Sequence, residues 1–110
     1  MPPVHILTWN DTLEVAAGRH ARDMRDKNYL EHISPDGVSP IQRTMEAGYT
    51  GNYVGENIGR GYSNINQVMT AWKNSESHCK AMMDSLYYEM GAARADQYWV
   101  QEFGRPLKVK

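Results

Sequence analysis

The chain has 110 residues, with 12 basic and 13 acidic side chains and a net charge of −1 at pH 7. A chain of this size supports one core, burying roughly two-thirds of its extended surface, and a balanced charge without a basic stripe argues against a nucleic-acid partner. Cys79 is the only cysteine, which excludes an intramolecular disulfide and a cysteine-built zinc site, and no run of about 18 apolar residues offers a transmembrane segment.

The segment Met1-Pro2-Pro3-Val4-His5-Ile6-Leu7 has no basic region followed by an apolar stretch, so no signal peptide is contained in this sequence. Leu13, Ala16, Ala17, His20, Ala21 and Met24 then recur on one helical face, which predicts an amphipathic helix from about Asp11 to Lys27 with Asn10 or Asp11 as N-cap. A histidine on such a face is expected to be a core residue bonded to backbone. After the turn-forming run His32-Ile33-Ser34-Pro35-Asp36-Gly37, Ser39-Pro40 can cap and start a short helix to about Ala47, stopped by Gly48.

Gly51 to Gly61 suits a glycine-punctuated strand or loop. Ser63 or Asn64 can cap a third helix with Ile65, Val68, Met69 and Trp72 inward, and Ser75 to Ser85 reads as a fourth, short helix. In that helix Cys79 is expected to be a buried structural thiol and the methionines flexible core filler. Tyr87 to Arg94 and Tyr98 to Phe103 are β-prone runs around Ala95-Asp96-Gln97, a terminal antiparallel hairpin. Helices first and strands last predict an α+β domain, with helices packed on a small antiparallel sheet.

Three polar residues stand at the edges of apolar segments: His32, Glu56 in Gly55-Glu56-Asn57-Ile58, and His78 in Asn74-Ser75-Glu76-Ser77-His78. Two imidazoles and a carboxylate can bind a transition metal or pass protons near neutral pH. Their intervals of 24 and 22 residues match no local zinc motif. The alternative to a metal or proton-handling site is a hydrogen-bonded cluster that fixes the glycine-rich segment on the helices.

Together with Leu7-Thr8-Trp9-Asn10, His20-Ala21-Arg22-Asp23-Met24, Arg43 through Ala47-Gly48-Tyr49, Ala71-Trp72-Lys73-Asn74-Ser75 and Tyr98-Trp99-Val100-Gln101-Glu102-Phe103-Gly104, these motifs resemble the bacterial branch of the CAP superfamily. That superfamily, also called SCP-like, joins cysteine-rich secretory proteins, antigen 5 and pathogenesis-related proteins. The resemblance implies an α-β-α sandwich over residues 1–110, secretion, and a cleft with two histidines and two acids that in several members holds zinc or another divalent ion. His32 and His78 match the histidines and Glu56 the first acid, which makes these three the implied metal ligands and candidate catalytic groups. The second acid stands three residues after a tryptophan in the family. Here Ser75 takes that place, with Glu76 one step on as a possible substitute.

The N-terminal helix usual in this branch is not visible ahead of Leu7, and the face it would cover invites a homodimer unless Pro2 to Leu7 covers it. The leading expectation is a secreted binding module whose cleft holds a divalent cation and a small-molecule, lipid or peptide ligand, although no apolar groove for a lipid is visible in the sequence. One alternative is a hydrolase of peptide or ester bonds, with metal- or Glu56-activated water; another is an interaction scaffold with a vestigial cleft. A Ser75–His78–Glu56 triad is disfavoured, because no strained elbow or oxyanion hole surrounds the serine.

Overall fold

Asn10 accepts the amide of Leu13 at 3.0 Å, and this cap starts the longest helix of the molecule. The computed structural model describes residues 7–107; the expected cover by Pro2 to Leu7 falls almost wholly outside them. A two-residue strand β1 (Thr8–Trp9) precedes helix α1 (Asp11–Lys27), which ends at Asn28 in the left-handed conformation. Then follow α2 (Pro40–Glu46), β2 (Tyr53–Arg60), α3 (Ile65–Asn74), α4 (Glu76–Met82), β3 (Glu89–Ala95) and β4 (Tyr98–Arg105). Ser39 caps α2 through the amide of Gln42, and Asn64 caps α3 through that of Gln67.

The sheet runs β1-β3-β4-β2, with β4 antiparallel to both neighbours and β1 parallel to β3. It is therefore mixed, where the sequence predicts an antiparallel sheet. Two residues are too few to show a period, and β1 is a strand only because Thr8 donates to Tyr88 O and Asn10 to Met90 O. The central strand β4 is buried on both faces, as a middle layer requires. Tyr98 and Val100 pack with Ala17, Ala21 and Met24 of α1, whereas Trp99 packs with Val68 and Trp72 of α3. This alternation makes the three-layer α-β-α sandwich.

A Cβ on Gly91 would lie 2.2 Å from Glu14 N, so α1 rests its backbone directly on β3 there. Gly91, Glu102 and Glu56 are ladder partners in one row across β3, β4 and β2, and that row lies beneath α1.

Helix α4 stops at Met82, short of Ser85, because Asp84 turns back to accept the amide of Leu86. Cys79 is half-buried, not buried. Ile65 and Met69 were expected inward but are 63% and 37% exposed; only Val68 and Trp72 form the inward stripe of α3. With Trp9, Met90, Ala92 and Trp99 they border an apolar cavity of about 420 Å³, a groove the sequence does not announce.

Candidate functional site

Strand β2 is an edge of the sheet, and its pleat sends Glu56 toward α1 and α2 but Asn57 toward α4. The Glu56 carboxylate is almost fully buried and receives a donor on each oxygen: His32 Nδ1 at 2.8 Å on Oε1 and Arg43 Nη2 at 3.1 Å on Oε2. Arg43, buried on α2, also donates to His32 O at 2.7 Å and to Val38 O at 3.3 Å, which ties the histidine-bearing loop to the helix. His20 donates Nε2–H to Glu31 O at 2.8 Å and lies 3.8 Å from Glu56, a core residue bonded to backbone as expected.

These contacts set the charge states. The hydrogen bond to Glu56 raises the His32 pKa against the opposing effect of burial. Burial lowers the His20 pKa and, together with the charge of His32, that of His78. Burial alone would raise the Glu56 pKa, but the facing Glu102 carboxyl and the hydrogen bond from His32, with the charges of His20 and Arg43, bring it below the ordinary value. The cleft therefore holds an ionised Glu56, a His32 with a strengthened hold on its proton, and a neutral His78.

His78 stands in the first turn of α4, stacked on Trp72 with ring centroids 6.5 Å apart, and its carbonyl accepts Asn57 Nδ2 at 3.2 Å. Its Nδ1 is 2.8 Å from Ser75 Oγ. Ser75 occupies the N-cap position of α4, yet its hydroxyl goes to this imidazole instead of to a backbone amide. Glu76 turns to solvent and pairs with Lys80 at 2.9 Å, so it does not take the place of the second acid.

The structure thus binds His32 to Glu56 directly and brings His78 near enough to feel the His32 charge. Glu102 is the member that the sequence reading missed. It is completely buried and presents its carboxyl to Glu56. One signal for it existed: Tyr98, Val100 and Glu102 alternate onto one face, and a carboxyl on a face of core residues requires a partner.

A resident zinc ion takes at least three protein donors. Glu56 is almost fully buried and holds His32 and Arg43 with its two oxygens, while the outer nitrogens of His32 and His78 are the donors turned to the cleft. Among the described residues no group of three or more His, Cys, Asp or Glu side chains is arranged to hold a metal ion. The residues present do not fit the zinc site that the resemblance implies.

The profile of the Cysteine-rich secretory protein family, CAP, matches residues 1–103. The chain belongs to the CAP family. Its curated relatives include two Bacillus subtilis proteins, YkwD, 33% identical over 86% of this chain, and the membrane protein YlbC, 36% identical over 88%. This CAP chain spans only 37% and 28% of their respective lengths.

Among solved structures, an extracellular SCP-domain protein of Bacillus anthracis superposes with TM-score 0.89 at 29% identity, covering 92% of this chain and 34% of that one. An outer surface protein of Borrelia burgdorferi gives 0.86 at 27% identity, covering 93% and 79%. The CAP fold here is therefore one found in bacterial proteins, one of them described as extracellular. Among the described residues no helix is long and apolar enough to cross a membrane.

Proposed function

We propose that this CAP domain is a binding module of an exported bacterial protein, in which the outer edges of His32 and His78 hold a small or extended ligand through its acceptor oxygens. One observation carries this reading. Glu56 is engaged on both oxygens, so it acts as an orienting group for His32 and not as a free base or ligand. His32, with its side chain half exposed and its proton strengthened by Glu56, offers an N–H to the cleft, which suits a carboxylate or hydroxyl.

The test is a titration of the imidazole NMR signals with a pool of short acidic peptides, and separately with zinc, at pH 7.5 and 5.5. Anion binding through His32 strengthens as pH falls, whereas zinc binding weakens because protons compete for the imidazoles. Peptide-induced shifts that grow at pH 5.5 and vanish in His32→Ala support the module. Saturable zinc binding that tightens at pH 7.5, or no response to either probe, overturns it in favour of a metal site or a scaffold.

A second reading has one supporting contact, the 2.8 Å approach of Ser75 Oγ to His78 Nδ1, which resembles a nucleophile and its base. Glu56 is committed to His32 instead of orienting His78, which weighs against hydrolysis. Turnover of peptide or ester substrates that disappears in Ser75→Ala or Glu56→Gln, with folding unchanged, would establish the hydrolase. The homodimer belongs to this proposal as well, with Trp9, Ile65 and Met69 as its exposed apolar surface.

A further inference from the structure

Glu102 lies in the middle of β4, completely buried, and neither of its carboxyl oxygens meets a conventional donor. Its ladder partner on β2 is Glu56 and on β3 is Gly91, so the two carboxyl groups face each other on the side covered by α1. The missing side chain at Gly91 lets the helix backbone close over the pair.

Arg43 makes no hydrogen bond to Glu102, and its charge, which favours the ionised form, is outweighed by burial and by Glu56. Its Nη atoms go to Glu56, His32 O and Val38 O, and its Nε meets no acceptor. The other titratable neighbours are His20 on α1 and His32 on its loop, which both lie against Glu56, and the Tyr87 phenol, which is close enough to Glu102 to feel its charge. Two ionised carboxylates directly opposite on a dry ladder repel, and desolvation strongly disfavours a buried carboxylate without a partner. A single proton removes both penalties.

We infer that Glu102 is a positioning residue for the cleft: as a neutral carboxylic acid it donates a hydrogen bond to the Glu56 carboxylate and keeps that group's oxygens aimed at His32 and Arg43. Burial and the adjacent Glu56 both act in this direction and raise the Glu102 pKa well above the carboxylate range. The inference deepens the binding reading, since it names what holds Glu56 in its orienting role.

The experiment uses the whole chain with ¹³C-labelled glutamate side chains. At pH 7 the Glu102 carboxyl carbon is expected at the protonated position while Glu56 is ionised. Glu102→Gln keeps a donor and should leave the His32 imidazole titration unchanged. Glu102→Leu fills the space without a donor, and the His32 midpoint should fall toward the ordinary value of about 6.5.

A merely structural role would let leucine serve as well as glutamine. An ionised Glu102 at pH 7, or a His32 midpoint unmoved by leucine, overturns the inference. If the leucine variant does not fold, the carbon shift of the parent chain decides alone. Failure of the acidic peptides to bind would sink the module and leave these carbon and imidazole readouts standing.

Discussion

Replacing Arg43 by methionine is the sharpest test of the site's construction. Arg43 is 5% exposed and donates three hydrogen bonds, one of them to the buried Glu56 carboxylate. Arg43→Met keeps most of the apolar volume but leaves Glu56 facing Glu102 without its cation, and breaking a buried pair from one side costs about 3–5 kcal/mol. That is a large share of the roughly 5–15 kcal/mol that holds a domain together.

Removing Glu56 as well should recover part of the loss, because the uncompensated charge is then gone while Glu102 stays neutral. Urea unfolding of Arg43→Met, Glu56→Met and the double variant measures the coupling, expected at about 1–3 kcal/mol. A loss below about 1 kcal/mol for Arg43→Met, or losses that add within about 0.5 kcal/mol, would refute the buried-pair argument.

Two further outcomes follow from the geometry. Gly91→Ala places a methyl 2.2 Å from α1 backbone and should cost about 3 kcal/mol or more in urea unfolding, whereas Gly59→Ala, whose nearest neighbours are side-chain atoms at 3.1–3.4 Å, should cost clearly less. For His32 the folded pKa is raised above the unfolded value, chiefly by its hydrogen bond to Glu56, so its stabilising contribution is complete below about pH 6.5 and is lost as pH rises through the folded value. The stability difference between the parent chain and His32→Ala should therefore shrink from pH 6 to pH 9; a difference that grows would reverse the sign of the argument.

The helices were legible because their signals are local. Asn10, Ser39 and Asn64 each cap the amide three residues on, and the apolar spacing from Leu13 to Met24 needs only the helix itself. The His32–Glu56 contact was legible only through ordered motifs, since 24 residues separate the two and no short-range rule joins them. The alternation of β4 signalled that Glu102 needs a partner, but not that the partner is Glu56: that depends on the β2–β4 register, and a one-residue slip would have turned either carboxyl to the other face.

Ile65 and Met69 show the same limit from the opposite side. Their helical spacing is that of an inward stripe, but whether a layer covers that stripe is decided by the neighbours of α3 in space. Caps and periods are set within a few residues and so by the sequence itself; ladder partners, the cover over Glu102 and the commitment of Glu56 arise only once distant segments are brought together. Tertiary structure thus placed Glu56, which ordered motifs alone had singled out, in a buried row where its carboxylate accepts from His32 and Arg43.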